Sequence, residues 1–76
     1  MNTTEFQLRG EHVALCDLLK LAGVVDSGGQ AKLMVANGEV TVDGQMESRK
    51  TAKIRAGQTV ACSGWEIRVN PPSGAQ

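Results

Sequence analysis

Aromatic residues are scarce in this chain of 76 residues, which has no tyrosine, one phenylalanine and one tryptophan. Proteins that bind single-stranded nucleic acid stack successive bases on several aromatic side chains. The composition excludes that mode of binding. Any RNA contact would instead have to read phosphate spacing and helix shape, as in the recognition of structured RNA.

Cysteine and histidine are equally few. Cys16 and Cys62 lie far apart without CxxC spacing, and His12 is the single histidine. A zinc site requires more ligands than these residues provide. We therefore predict no metal and no cofactor, and we expect both cysteines to be buried free thiols, as is usual in a reducing compartment.

The chain also lacks a net charge and a long apolar run. Eight basic residues balance eight acidic ones, and 41% of the residues are hydrophobic, which is typical of a globular protein. The N-terminus is polar, unlike a secretory signal, and no apolar stretch is long enough to cross a bilayer. These features predict one small monomeric domain in the cytoplasm, without membrane contact.

Two segments have the periodicity of helices. Residues 12–22 have apolar side chains at i, i+3, i+4 and i+7, and the segment ends at Gly23. A second helix follows Ser27, which forms an S-x-x-Q capping box with Gln30, and Gly38 ends it in the left-handed conformation. The short link between them predicts a packed pair. The predicted buried stripes are Leu15, Leu18, Leu19 and Ala22 on the first helix and Ala31, Met34 and Val35 on the second.

The remaining segments alternate in the manner of strands. Residues 5–9 form a short first strand, and the later strands are VTV, TVACS and WEIRV. The dipeptides Asp-Gly at 43–44 and Ser-Gly at 63–64 predict hairpin turns, whereas residues 47–55 are polar and irregular. The alternation in WEIRV places Trp65 on the core face.

These elements predict an α+β fold, in which two packed helices lie on a small, mostly antiparallel sheet. A single domain should span residues 1–70. Residues 71–76 should form a flexible C-terminal tail.

A catalytic role would have to use His12 and Cys16, which lie four positions apart in the predicted first helix, because a Cys-His pair can be nucleophilic. No third group that would orient the histidine is evident, and a chain of this size has little room for a substrate cleft. The acidic residues are scattered and form no acid–base pair. We therefore expect no enzyme activity and no catalytic residues.

Basic residues are clustered despite the zero net charge. Arg49, Lys50, Lys53 and Arg55 lie within the stretch RKTAKIR, which no acidic residue interrupts. Lys20 and Lys32 occupy comparable flanks of the two predicted helices, beside the apolar stripes. If the helices pack through those stripes, both lysines can reach one surface and form a basic patch. The alternative is a set of ordinary solvated charges paired with Glu47, Asp17 and Asp26.

Gly28 and Gly29 lower the helix propensity of the second helix without contributing to its cap. A helix N-terminus presents free N–H groups and the positive end of the helix dipole, and glycine there lets an RNA backbone approach. We interpret Ser27, Gly28 and Gly29 as a cap combined with a phosphate seat. A tight turn between the helices explains the two glycines equally well.

The order of these elements resembles the S-four RNA-binding domain, named after ribosomal small-subunit protein four. The resemblance covers about residues 14–62 and rests on an ordered set of positions: Leu15, Leu19, Ser27, Ala31, Gly38, Val40, Val42, Asp43, Gly44, Ile54, Gly57 and Val60. Several short segments are similar to those of the small stand-alone bacterial proteins of the YbcJ type: LCDLLKLAG, SGGQAK, VDG, ESRK and GQTV.

The resemblance implies an αL-shaped RNA-binding motif. It also implies structured RNA of the ribosomal or transfer RNA class as the partner, in ribosome assembly or translation. In the family, cations on the helix pair and the following loop contact phosphates. The residues at compatible places here are Lys20, Lys32, Arg49 and Lys50, with Lys53 and Arg55 as extensions.

The chain departs from the family pattern at several positions. Ala14 and Gly28 stand where arginines are usual, Cys16 where an aspartate is usual, and Gln58 where an acidic residue is usual. The missing arginines and the zero net charge favour an alternative, a protein–protein interaction domain that keeps the fold with little RNA affinity.

Overall fold

The computed structural model describes residues 2–72. The elements in chain order are β1 Asn2–Gln7, β2 Val13–Ala14, α1 Leu15–Leu21, α2 Gly28–Ala36, β3 Val40–Val42, β4 Gln45–Met46, β5 Lys53–Ile54, β6 Thr59–Cys62 and β7 Trp65–Asn70. The predicted flexible tail, residues 71–76, lies outside the described residues from residue 73 onwards.

The strands form one main sheet and one small one. The five-stranded sheet has the order β1-β7-β6-β3-β4, and β2 pairs with β5 in the second sheet. β1 runs parallel to β7, and the other neighbouring strands are antiparallel. A parallel pair needs a long crossover, which the whole of the intervening chain supplies. The predicted α+β class with a mostly antiparallel sheet is confirmed.

The two helices bury most of their predicted stripes in a single core, whereas Ala22 and Met34 are only half-buried against it. Leu15, Leu18 and Leu19 of α1 and Ala31 and Val35 of α2 are fully buried. The side chains that meet them from the strands and their connections include Leu8, Val40, Ile54, Val60, Cys62, Ile67 and Val69. Burial of this apolar surface is the main stabilising contribution to the fold.

The first helix is shorter than the predicted 12–22. It spans Leu15–Leu21, because Val13–Ala14 forms a strand that pairs antiparallel with Lys53–Ile54. This long-range pairing removes the first residues of the periodic segment from the helix. His12 therefore precedes the strand and is not a helical residue.

Both helices end on a glycine, as predicted. The N–H of Gly38 (φ +75°) donates to the carbonyl of Val35 at 3.1 Å, and that of Glu39 donates to Met34 at 3.1 Å. These two bonds form a Schellman motif, which requires a left-handed residue after the C-cap. Gly23 (φ +80°) ends α1 in the same manner.

The predicted cap of α2 is also present, with one change in its partner. The Ser27 Oγ accepts a hydrogen bond from the Gln30 N–H at 3.2 Å. The Gln30 Oε1 accepts from the N–H of Asp26 at 3.1 Å, whereas a standard capping box would use the N–H of Ser27. The capping box therefore differs from the standard one in a single hydrogen bond, in which Gln30 accepts from the residue before the N-cap.

Both predicted hairpin turns are confirmed. Asp43 and Gly44 have φ values of 52° and 85°, and Ser63 and Gly64 have 47° and 80°. Two consecutive positive φ values are the signature of the type I′ turn, whose twist matches that of the flanking strands. Trp65, which follows the second turn, is half-buried and lies opposite Cys62.

Candidate nucleic-acid interface

The basic segment, residues 49–55, is fixed against the start of α1. The first N–H groups of an α-helix have no partner within the helix, and α1 has no side-chain cap. Here the N–H of Leu15 donates to the carbonyl of Ala52 at 2.9 Å, and the N–H of Cys16 donates to that of Lys50 at 3.1 Å. The loop thus caps the helix with its own backbone, and its basic side chains remain exposed.

The same segment forms a shallow cleft of about 350 Å³. The cleft is lined by Arg49, Thr51, Ala52 and Lys53, so two cations and one hydroxyl surround a small buried methyl group. Two positive side chains at one opening attract an anion, and a hydroxyl adds a hydrogen-bond donor. The structure therefore brings Arg49 and Lys53 together.

Arg49 is engaged by Glu47 through both its side chain and its backbone. The Arg49 Nε donates to Glu47 Oε2 at 3.1 Å, Nη2 donates to Oε1 at 3.4 Å, and the backbone N–H donates to Oε2 at 3.0 Å. These hydrogen bonds from Arg49 hold the pKa of the Glu47 carboxyl below its ordinary value. The side-chain hydrogen bonds to Glu47, together with its negative charge, raise the pKa of the Arg49 guanidinium. Arg49 is therefore paired with Glu47, which was the alternative to a free basic patch that the sequence left open.

The other predicted cations have no carboxylate partner of this kind within residues 2–72. Lys20, Lys32, Lys50, Lys53 and Arg55 are all exposed. The salt bridges within residues 2–72 are those of Arg49 with Glu47 and of Arg68 with Glu66. Pairing with Asp17 or Asp26, which the sequence left open, does not occur among the described residues.

The predicted phosphate seat lies at the N-terminal end of α2. Gly28 and Gly29 have no hydrogen-bond partner for their N–H groups within the described part of the chain. Among the described residues, a Cβ added at Gly28 would meet no atom within 4 Å, and one at Gly29 would meet only the Ser27 Oγ, at 4.0 Å. Neither glycine has a positive φ. Packing and backbone conformation therefore do not require glycine at these positions.

The His12 and Cys16 pair considered from the sequence is not assembled by a helix, because His12 precedes β2 and only Cys16 lies on α1. Cys16 is half-buried and packs against the core. Cys62 is buried, and burial, together with the nearby charge of Glu39, raises the pKa of its thiol. Both thiols are free, and Cys62 is buried as predicted, whereas the prediction that Cys16 is buried was wrong because that side chain is only half-buried.

Sequence reasoning missed two residues near the basic segment. Thr51 lines the cleft, and its position between the cations of RKTAK was the available signal. Gln58 accepts a hydrogen bond from the Arg55 N–H at 2.7 Å and donates one to Asp43 at 3.4 Å. No local pattern predicts that second contact, because Asp43 belongs to a different hairpin.

No helix within residues 2–72 has the length and apolar character needed to span a membrane.

Comparison with known proteins gives concordant results. A family model described as the S4 domain matches residues 6–70. YbcJ of Escherichia coli is 57% identical over 58 residues, which cover 76% of this chain and 83% of YbcJ. The probable ribosome maturation protein RlbA of Bacillus subtilis is 36% identical over 55 residues, which cover 72% of this chain and 78% of RlbA.

The fold has a matching solved structure. The solution structure of YbcJ from E. coli, which revealed an αL motif involved in RNA binding, superposes with a TM-score of 0.72 at 51% identity. The match covers 92% of this chain and 90% of that one. The resemblance to the S-four domain and to YbcJ-type proteins is thus confirmed, and this chain belongs to the S4 domain family.

Proposed function

We propose that this chain is a non-catalytic RNA-binding module that recognises structured RNA, of the ribosomal or transfer RNA class, through phosphate contacts. The observation that carries the proposal is the basic segment, whose backbone is hydrogen-bonded to the start of α1 while its cations face solvent. Because the segment is already ordered, binding RNA costs little further conformational entropy.

The chemistry of the exposed side chains fits phosphate better than bases. Lys and Arg neutralise phosphates and release condensed counterions, which gives affinity without sequence specificity. The cleft lined by Arg49 and Lys53 is the proposed seat of one phosphate, at which Lys53 is the cation without a salt bridge within residues 2–72. Lys20 on α1 and Lys32 on α2 extend the proposed contact surface onto the helix pair.

The N-terminus of α2 adds a second kind of phosphate contact to the proposal. The N–H groups of Gly28 and Gly29 are unpaired within the described residues, and open space surrounds Gly28. Ser27 fixes the first turn by capping Gln30, so these amides point away from the helix in a defined direction. Backbone amides of this kind bind phosphate without a side-chain charge.

The cellular role proposed here is in ribosome assembly or translation, as a monomer in the cytoplasm. Its support is the similarity to RlbA, whose name describes a probable ribosome maturation protein, and to YbcJ, whose αL motif is involved in RNA binding.

The test is a titration of isotope-labelled protein with a structured ribosomal RNA fragment at two salt concentrations. We expect amide and side-chain shifts at Lys20, residues 27–32 and residues 49–55. Neutralisation of about four phosphates predicts that log K falls with log salt with a slope of about −3. No shifts at low salt with several structured RNAs would contradict the proposal.

A double variant, Lys20→Glu with Lys50→Glu, should reduce RNA binding below detection and leave the fold intact, because both side chains are exposed. The matched control is Arg9→Glu with Arg68→Glu, which changes the net charge equally at exposed sites outside the proposed interface. If the control weakened binding as much as the test pair, net charge and not the proposed surface would determine affinity.

The phosphate seat is tested separately by Gly28→Ala. The added methyl group has open space and a compatible backbone, so we expect the free energy of unfolding to rise by about 0.5 kcal/mol. We expect RNA affinity to fall about threefold, because the methyl group obstructs the approach to the amides. Unchanged affinity in a stabilised variant would remove residues 27–29 from the interface.

A second candidate function is a protein–protein interaction domain with little RNA affinity. The observation that favours it is the exposure of large apolar side chains, at 62% for Leu21, 65% for Leu33 and 69% for Met46. If RNA causes no shifts, a pull-down with wild type and a Leu21→Ser, Leu33→Ser variant distinguishes this function by loss of the captured partner.

A further inference from the structure

One side chain, Gln58, connects the end of the basic segment to the β3–β4 turn. Its Oε1 accepts a hydrogen bond from the N–H of Arg55 at 2.7 Å, and its Nε2 donates one to the Asp43 Oδ2 at 3.4 Å. The two contacts use opposite ends of one amide group. Gln58 therefore bridges two loops that are separate in the sequence.

The backbones of Asp43 and of Gln58 are each fixed by hydrogen bonds to neighbouring strands. The N–H of Asp43 donates to the carbonyl of Thr59 at 2.8 Å, and the Asp43 Oδ1 accepts from the N–H of Thr59 at 2.9 Å. The Gln58 carbonyl accepts from the N–H of Val69 at 3.0 Å. The amide of Gln58 thus projects from a rigid part of the main sheet.

The turn that contains Arg55 is closed from both sides. The N–H of Gln58 donates to the carbonyl of Arg55 at 3.3 Å, and the Gln58 side chain accepts a hydrogen bond from the N–H of Arg55 in return. Gly57, with φ of +89°, allows the chain to reverse at this point. Arg55 is therefore held at its backbone while its side chain is exposed.

The charge of Asp43 determines which way the Gln58 amide points. A carboxylate has only acceptors, so the NH₂ end of the amide must face Asp43 and the oxygen must face Arg55. With an asparagine at position 43, its Oδ1 would still accept the hydrogen bond from the Thr59 N–H, and its NH₂ group would face Gln58. Either orientation of Gln58 would then place two donors against each other.

We propose that Asp43 and Gln58 are positioning residues that hold the backbone of Arg55, so that its guanidinium is presented to an RNA phosphate. The inference rests on the proposed function and deepens it. Neither residue touches RNA itself. Their contribution is to reduce the conformational freedom that Arg55 loses on binding.

The test moves the carboxylate from position 43 to position 58 and the amide from position 58 to position 43, so that the net charge is conserved. Asp43→Asn removes a negative charge, Gln58→Glu adds one, and the double variant has the net charge of the wild type. In the double variant, the NH₂ group introduced at position 43 donates to the carboxylate introduced at position 58, which still accepts from Arg55. Asparagine also tolerates the positive φ at position 43, so the turn is kept.

The two explanations predict opposite results for Asp43→Asn. Charge alone predicts tighter RNA binding, because an acidic group is lost near a polyanion. Positioning predicts binding that is about three- to fivefold weaker, the size expected from loss of one hydrogen bond. We expect the weaker binding, and recovery to within about twofold of wild type in the double variant. The matched charge control is Glu11→Gln, which removes one acidic group at an exposed position that has no salt bridge within residues 2–72 and should not weaken binding.

A second readout needs no RNA. In the free protein, amide hydrogen exchange at Arg55 should accelerate in each single variant and return to the wild-type rate in the double variant. Tighter binding by Asp43→Asn, or a double variant no better than the single ones, would overturn the positioning role. A wild-type protein that binds no structured RNA would instead overturn the proposed function, while the Arg55 exchange would still report whether the bridge exists.

Discussion

The two ends of the basic segment are ordered in different ways. At the first end, Glu47 accepts hydrogen bonds from both the side chain and the backbone of Arg49. At the other end, Gln58 accepts only from the backbone of Arg55, whose guanidinium forms no salt bridge within residues 2–72. Both arginines are exposed, so the difference lies in the partner and not in burial.

This difference shows that a carboxylate can fix the position of a basic side chain only by also compensating the positive charge that RNA would bind. The Glu47 carboxylate fixes Arg49 through its Nε and Nη2 donors and compensates its charge, so that a phosphate must compete with Glu47 for this side chain. A neutral amide fixes Arg55 without reducing its charge. Under the proposed function, Arg55 and Lys53 should therefore contribute more to RNA affinity than Arg49.

The largest expected effect separates the two ends directly. Replacement of both Lys53 and Arg55 by glutamine should weaken binding of a structured ribosomal RNA fragment about 30-fold at about 0.1 M salt, since each lost phosphate contact costs about five- to eightfold there. The salt slope should fall by about two. Arg49→Gln alone should weaken binding only about threefold, because the bond to Glu47 must be broken before Arg49 meets phosphate. Fluorescence anisotropy titrations over a range of salt concentrations measure both quantities.

Arg9→Gln with Arg68→Gln is the control for that experiment, since these cations lie outside the basic segment. A loss per residue that is equal for Arg49 and for the other two cations would show that Glu47 does not reduce the contribution of Arg49.

A smaller effect is expected when the Glu47 carboxylate is neutralised. Glu47→Gln should tighten RNA binding about threefold, because Arg49 becomes free to meet phosphate and one acidic charge is lost. In an Arg49→Gln background the same change should have little effect, which a double-mutant cycle measures. Weaker binding by Glu47→Gln would mean that Glu47 orients Arg49 for RNA and does not compete with it.

The smallest effect is the titration of Glu47 in the free protein. Bonds from Arg49 favour the ionised carboxylate, so the Glu47 pKa lies below its ordinary value of 4.5. The pair therefore persists above the ordinary pKa and is lost as the pH falls through the lowered one. NMR titration of the Glu47 side chain should show this, and Arg49→Gln should move the pKa back up. An unchanged Glu47 pKa in that variant would contradict the assignment of the shift to Arg49.

Helix caps and helix C-termini were predictable from the sequence because each depends on hydrogen bonds between neighbouring residues. Ser27 caps Gln30 three residues away, and Gly38 ends the same helix within one turn. The prediction failed at residues 12–14, where periodicity indicated helix. There the pairing of Val13–Ala14 with Lys53–Ile54 overrode the local preference.

The candidate site shows the same division. The sequence identified the basic segment and the unexplained Gly28, and the structure added that nothing in the fold requires glycine at that position. Sequence alone could not distinguish a cation paired with a carboxylate from one that is free. Arg49 and Arg55 look alike in RKTAKIR, and their partners differ only after folding.

The sequence by itself thus determined where both helices stop, the start of α2, the two hairpin turns, most of the buried stripes and the position of the basic cluster. Hydrogen bonds between near neighbours and the periodicity of apolar residues suffice for these features. Only the tertiary structure decided that β1 runs parallel to β7, that the basic segment caps α1, and that Gln58 joins Asp43 to Arg55. Apart from the bond between Arg55 and Gln58, which are three residues apart, these contacts join residues that are distant in the chain. No local pattern encodes them, because the folding of the chain around one shared core brings these residues together.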